Sequence, residues 1–488
     1  MHGLHDHREA GPRRPTAGVK RASTTSQGQP RSWTLLTLLS IAQFMVVLDA
    51  TIVNVALPSI ARSLAFRPDS LQWVVTAYVL ASGGLVLLGG RAADVAGRRR
   101  LFYAGLALFT AASLASGLAP SAGALIAARA AQGTGAALLT PAALSIITTT
   151  YAGAQRARAL GVWGALAGAG AAAGVLAGGM LTTWIGWRSV FLVNLPVGLA
   201  VGFLTPRRVP RSGAAARRER QLDLPGAALA IAGLVTLTYA IAEAPEHGWG
   251  SARTLLLIVA AIVLLAAFAL TEARARRPLV PPATWRSRSL VAGVLVMFAA
   301  TGVMVGTFFL NSLYLQEAQH ASPLRVGLEF LPLALIIGAG AHVSARLLPH
   351  AGSRIVIAAG LASMGGGALL LSHVSAGPSY LTGLLPGLLV TGIGAGLTLP
   401  ATAVTTLNDV ADDRSGLASG VLSAAHEIGA ALGVAVFSAI AVAVDGGIGA
   451  GYRHGFTVMA VIAAGLAVLA ALAVPTVRPA AGTAVAVH

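Results

Sequence analysis

Two ionisable residues sit where hydrocarbon is expected. The stretch LDATIVNVALP (48–58) carries Asp49, and LIAARAAQGTGAALLTPAAL (125–144) carries Arg129. A carboxylate at bilayer depth costs roughly 2.5–3.5 kcal/mol on insertion scales, so it faces protein or water rather than lipid. Burial favours the protonated acid and a nearby cation favours the ionised one, so an acid held between them can load and release a proton. That chemistry assigns proton coupling to Asp49, with Arg129 tuning it. A second polar pair, His426 and Glu427, interrupts the run SGLASGVLSAAHEIGAALGVAV (415–436). It reads as a second proton site, a cation-attracting wall of a substrate cavity, or a bridge between helices. Glu329, a further candidate for that second proton or substrate site, lies early in its span, near the outer surface, and His342 near the cytoplasmic interface. Asn54 suits a packing hydrogen bond between helices. With Tyr78, Phe308, Phe309, Asn311 and Tyr314 it also makes up the candidate lining of a substrate cavity, since such cavities are apolar with few polar groups.

Other chemistries lack their residues. There is no cysteine, so disulfides and thiolate ligands are excluded. No metal-ligand spacing, phosphate-cradling loop or nucleophile–base pair is present, which argues against an enzyme, a metal site, a cofactor and nucleotide-driven transport.

The elements that must position these residues are membrane helices. Of 488 residues 56% are hydrophobic and 10% charged, far below the charged share of a soluble domain. Hydropathy predicts an all-α polytopic membrane protein with about fourteen spans. A net charge of +17 suggests a nucleic-acid partner only until the basic residues are placed. Most fall in loops on one side, the orientation signal of a cytoplasmic face, where they also attract anionic lipid. Both termini are expected on that side. Residues 1–32 read as a disordered basic tail. The most basic linkers divide the chain into a six-helix bundle (33–207), two additional helices (208–289), a second six-helix bundle (290–476) and a short tail (477–488). A weak echo supports the division: AGRRRLFYAGLAL (96–108) and AGSRIVIAAGLAS (351–363) both precede the third span of their bundle. Repeated halves with a site between them are a transporter trait.

Three motifs carry a resemblance. The loop GGRAADVAGRRR (89–100) resembles that of the major facilitator superfamily, retaining Gly90, Asp94, Gly97 and Arg98, with Ala92 and Val95 departing from its pattern. The string R-x-x-Q-G-x-G from Arg129 is similar to the family's fourth-helix motif. GAAAGVLAGG (170–179) is similar to its antiporter motif through Gly170, Gly174, Gly178 and Gly179, although Val175 replaces the proline. More narrowly, LDATIVNVALP resembles the first-helix signature of the fourteen-helix drug:proton antiporters. GWRSVFLVNLPVG (186–198) and YLQEAQHASPLRVGLEFLP (314–332) agree with that subgroup. The resemblance implies a gating role for Asp94 and Arg98 and proton coupling through Arg129. It further implies a monomer in a bacterial plasma (inner) membrane that exports hydrophobic or cationic small molecules in exchange for protons. Proton-coupled uptake or lipid translocation on the same fold is the alternative. The family commonly has Arg-Gln where this chain has His426 and Glu427.

Overall fold

The computed structural model describes residues 33–67, 70–151, 153–205, 224–275, 278, 280, 282–374, 380–408, 410, 415–444 and 447–478. The two expected tails, apart from 477 and 478, and the whole basic linker at 206–223 lie outside them. Every regular element among the described residues is helical. The first group comprises α1 (Trp33–Leu64), α2 (Trp73–Ala96), α3 (Arg98–Gly117), α4 (Ala122–Thr150), α5 (Gly153–Trp184), the short α6 (Ser189–Leu192) and α7 (Asn194–Leu204). A hairpin of α8 (Leu224–His247) and α9 (Ala252–Arg274) follows. The last group comprises α10 (Arg288–Leu313), α11 (Pro323–Ala351), α12 (Ser353–Ser372), the short α13 (Tyr380–Gly383), α14 (Leu385–Leu407), α15 (Ser415–Val442) and α16 (Gly447–Ala473).

Among the described residues, eleven helices are long and apolar enough to cross a membrane. The three other expected spans fall on α3, on α5 and on the α6–α7 pair. Arg98–Arg100 occupy the first turn of α3, which dilutes its apolar run, and α7 starts at Asn194 after a break at Val193. Serine caps start several helices. Ser121, Ser251, Ser287 and Ser322 each accept a bond from the backbone N–H three residues on, satisfying a donor that the first turn leaves free.

Packing repeats between the groups. In the first, α1 packs on α5, α2 and α3 on α4, and α3 on α7. In the last, α10 packs on α15, α11 and α12 on α14, and α12 on α16. The sequence echo falls on equivalent turns: Gly97 between α2 and α3 has φ of 96°, and Gly352 between α11 and α12 has φ of 78°. Both positions need the left-handed backbone that glycine adopts without a Cβ penalty.

The groups meet along two seams, α2 against α15 and α5 against α11. The end bearing Arg98–Arg100 is the basic end. At the opposite end Ser312 Oγ donates to Asn54 O at 2.8 Å, and Gln316 Nε2 to Val55 O at 2.9 Å. There α10 continues into a π turn over Tyr314–Ala318, a widened turn that projects Gln316 toward α1. Leu324 N donates to Thr183 Oγ1 at 3.0 Å, closing α11 on α5 at the same end. Helix α8 lies against both α2 and α15 on the outside of their seam, through Leu88, Ala227 and Val421.

Candidate functional site

Asp49 lies in the middle of α1 and is completely buried, as is Arg129 but for 1% of its surface. Their side chains pair directly, Arg129 Nη1 to Asp49 Oδ2 at 2.6 Å. The same Nη1 donates to Gln132 Oε1 at 2.8 Å, and Gln132 Nε2 returns to Asp49 Oδ1 at 2.7 Å, so the three residues close a ring. Asn194 Nδ2, at the start of α7, donates to Asp49 Oδ1 at 2.7 Å. Ser113 Oγ of α3 accepts from Gln132 Nε2 at 2.7 Å and from Asn194 Nδ2 at 3.2 Å. Arg129 Nε caps the carbonyl of Val74 on α2 at 2.9 Å. Tyr78 and Phe191 hold their rings 4.3 and 5.7 Å from the guanidinium carbon. A desolvated ion pair is tolerable only when its remaining donors and acceptors are satisfied, and these contacts do that for the carboxylate. Five helices of the first group therefore converge on one charge.

Glycines bring the backing helix close. A Cβ at Gly170 would stand 3.0 Å from Phe44 O, one at Gly174 would collide with Thr51 Oγ1, and one at Gly178 would stand 2.7 Å from Ile52 O. Their four-residue spacing places them on one face of α5, against the segment of α1 that carries Asp49. Gly179 points elsewhere, toward Pro323 O of α11 at 2.6 Å. The motif thus serves two interfaces, one within the first group and one across a seam. With Val175 in place of a proline, α5 runs without a break from Gly153 to Trp184.

The remaining sequence candidates disperse. Tyr78 packs under Arg129. Asn54 Nδ2 donates to Ala50 O within its own helix, while its side-chain oxygen Oδ1 is buried without a partner among the described residues. Asn311 is fully buried and accepts from Tyr452 OH at 2.6 Å, and the Tyr314 ring stacks on Tyr452 at 4.1 Å between centroids. These residues fill the contact between α10 and α16. Phe309 is buried as well, whereas Phe308 is part-buried against Phe330 at 5.3 Å. Glu329 pairs with Arg325 Nε at 2.7 Å near the opposite end. His342 is exposed on α11. His426 and Glu427 are part-exposed at mid-depth on α15, with Thr301 Oγ1 3.1 Å from His426 Nδ1. In the gating loop, Gly90 lies in the last turns of α2, Gly97 makes the turn, and Arg98 is the first residue of α3. The Asp94 side chain lies outside the described residues.

Sequence reasoning missed Gln132, Asn194, Ser113 and Phe191. Gln132 stands inside the motif that singled out Arg129. Asn194 and Phe191 stand inside GWRSVFLVNLPVG, and a polar residue within that apolar run was the available signal.

Two repeating groups of apolar helices, the first holding a buried ion pair, define a multi-pass membrane transporter. The sequence pattern of the Major Facilitator Superfamily matches residues 39–434. The chain belongs to that superfamily, a family of transporters rather than enzymes. It is 42% identical over 417 residues to the puromycin resistance protein pur8 of Streptomyces alboniger, covering 84% of this chain and 82% of that one. It is 41% identical to the cephamycin export protein CmcT of Amycolatopsis lactamdurans, covering 82% of this chain and 83% of that one. It is 37% identical to the multidrug resistance protein Stp of Mycobacterium tuberculosis, over 79% of this chain and 72% of that one. Among solved structures, an auto-inhibited POT family peptide transporter superposes with a TM-score of 0.69 at 15% identity, covering 93% of this chain and all of that one. The human organic anion transporter MFSD10 (TETRAN) superposes with a TM-score of 0.61 at 17% identity, over 92% of this chain and 100% of that one. At such identity these two carry the fold alone.

Proposed function

We propose that the protein is a proton-coupled antiporter that exports hydrophobic or cationic drugs, antibiotics or related metabolites by alternating access. The observation that carries the reading is the Asp49–Arg129 pair, buried at 0% and 1% exposure and tied to five helices of one group. In this reading a proton reaching Asp49 neutralises the carboxylate, weakens its hold on Arg129, and frees the guanidinium to seek other acceptors. The contacts to Val74, Gln132 and Asn194 then transmit the change to α2, α4 and α7. The gradient supplies the driving force, and no cofactor takes part. The kinship with puromycin, cephamycin and multidrug resistance proteins supports export and the substrate class.

The proposal includes about fourteen crossings arranged as six, two and six, with both termini and the basic end on the cytoplasmic side of a bacterial inner membrane. It takes the protein as a monomer among lipids, with Asp94 and Arg98 gating the basic end. The test is proton release from acidified inverted vesicles on addition of puromycin, a cephamycin or a lipophilic cation. Wild type is expected to release protons with at least one of them and Asp49→Asn with none. Undiminished release by Asp49→Asn would remove Asp49 from the coupling step.

A further inference from the structure

One side-chain amide at depth lacks an acceptor for its nitrogen. Gln43 lies on α1, six residues and hence about 9 Å from Asp49 toward the basic end. Thr140 Oγ1 of α4 donates to Gln43 Oε1 at 3.1 Å, which engages the oxygen end of the amide. Among the described residues nothing accepts from Gln43 Nε2, and that atom is not sealed off from its surroundings. The other amides at depth have acceptors for their nitrogens: Asn54 on Ala50 O, Gln132 and Asn194 on Asp49 Oδ1, Asn311 on Thr307 O, and Gln316 on Val55 O. Those residues are buried, whereas Gln43 is half-buried.

The neighbours of α1 fix the direction in which Gln43 faces. One side of the helix, through Phe44, Thr51 and Ile52, is closed by the glycines of α5. A second side, through Asp49, meets α4 and α7. The remaining side carries Gln43, Val47, Ala50 and Asn54, which are three or four residues apart and so form one stripe. At its outer end Ser312 and Gln316 of the last group bond to the carbonyls of Asn54 and Val55. The stripe therefore faces the space between the two groups rather than lipid. Its exposure is confined to the middle. Gln43, Val47 and Ala50 are part-exposed, while Leu36, Leu39 and Ser40 toward the basic end are at 1% or less, and Asn54 is at 8%.

We infer that Gln43 is a recognition residue for an uncharged lipophilic compound that presents an acceptor oxygen, such as a carbonyl, with Val47 and Ala50 lying against its apolar body. The inference rests on the reading of the protein as an exporter of small molecules, and it names the polar group by which one class of them is held. A donor in apolar surroundings costs free energy until something accepts from it, and one acceptor oxygen removes that cost. A few placed polar groups in an apolar lining are what orients a small ligand. The amide offers no charge, and Asp49 and Arg129 answer each other at 2.6 Å, so an ion reaching this stretch would lose hydration without meeting a counter-charge. Thr140 is a positioning residue, since its bond to Oε1 leaves the nitrogen of the amide turned to the open stretch.

Equilibrium binding of triphenylphosphine oxide to the purified full-length protein tests this without any requirement for transport. Triphenylmethane is the comparison probe: both carry three phenyl rings, and only the oxide has an acceptor oxygen. Wild type is expected to prefer the oxide, and Gln43→Met, similar in length but without the donor, to bind it about three- to tenfold more weakly. Triphenylmethane affinity should stay within about twofold, which also shows that the variant is folded. Thr140→Val should weaken the oxide about two- to threefold and again leave triphenylmethane unmoved. Equal oxide affinity in wild type and Gln43→Met would overturn the assignment, as would parallel loss of both probes, or a wild type that does not bind or does not prefer the oxide. Loss in Thr140→Val with retention in Gln43→Met would move recognition to the Thr140 hydroxyl, and equally overturn it. Vesicles that release no protons would instead sink the antiport reading, with the Gln43 site left standing.

Discussion

In the first helix group, the first and last helices are joined through a charge: Asn194 Nδ2 donates to Asp49 Oδ1 at 2.7 Å. In the last group the same two positions in the packing order, α10 and α16, are joined through neutral groups, Tyr452 OH to Asn311 Oδ1 at 2.6 Å. Around Asp49 the neighbours are donors from α4 and α7. Around Asn311 they are rings, with Tyr314 stacked on Tyr452 and Phe456 4.5 Å beyond. One fold order thus supports two kinds of centre. The first is an ion pair satisfied by donors, the second a bond between neutral groups packed among rings. On the proposed function, the difference makes the first group the ion-responsive half, while α10 and the turn after it carry the Ser312 and Gln316 bonds onto α1.

The sharpest way to break that comparison is Arg129→Met. It leaves the Asp49 carboxylate buried without a cation, and removal of one partner of such a pair costs about 3–5 kcal/mol. Thermal unfolding in detergent should show a large loss of stability together with loss of transport. A stability equal to wild type would mean that the carboxylate is not charged in the resting protein. Next in size is Asn194→Leu, which removes one donor to an ionised acceptor, worth about 1.5–3 kcal/mol, and should slow substrate-induced proton release. Its counterpart Tyr452→Phe removes a bond between neutral groups, worth about 0.5–1.5 kcal/mol, and proton coupling should be unchanged. If the Tyr452 variant impaired coupling as severely as the Asn194 variant, the division of labour between the groups would fall.

An effect of similar size, spread over two bonds, is expected at the opposite end. Ser312→Ala with Gln316→Leu deletes the two side-chain bonds onto the α1 backbone, about 1 kcal/mol each. The population open at that end should rise. Because the chain has no cysteine, two introduced at Arg62 and Glu317 can be spin-labelled selectively, and their distance distribution should broaden toward longer values. The smallest belongs to Glu246→Ala. Its bond to Arg67 is 2.6 Å long but solvent-exposed, at 38% and 67% for the two side chains, so its loss should change stability by under about 1 kcal/mol.

Asp49 and Arg129 were legible in the sequence because charge inside an apolar run has few inexpensive explanations. Their direct pairing was implied by the same logic, although the residues are 80 positions apart. The ring through Gln132 and the link to Asn194 were not read, because amides are common at helix contacts and carry no marker of which contact they serve. Tyr78, Asn311 and Tyr314 show the same limit from the other side. In a membrane bundle, lipid-facing and core-facing surfaces are equally apolar, so the usual inside–outside pattern gives no facing for an aromatic residue. The glycines of α5 were readable as close-packing residues. That Gly179 serves α11 while its three companions serve α1 follows from its one-residue offset, a quarter-turn that places it on the next face.

The hairpin of α8 and α9 has a consequence in the plane of the bilayer. Repetition of the two groups produces two equivalent seams, yet among the described residues the hairpin's substantial packing on the two groups is that of α8 on α2 and α15, at one seam alone. A compound dissolved among the lipid chains and approaching sideways therefore meets the apolar hairpin on one flank, and on the other the α5–α11 seam itself, closed by the tight contacts of Gly179 and Gly327. The molecule has a front and a back.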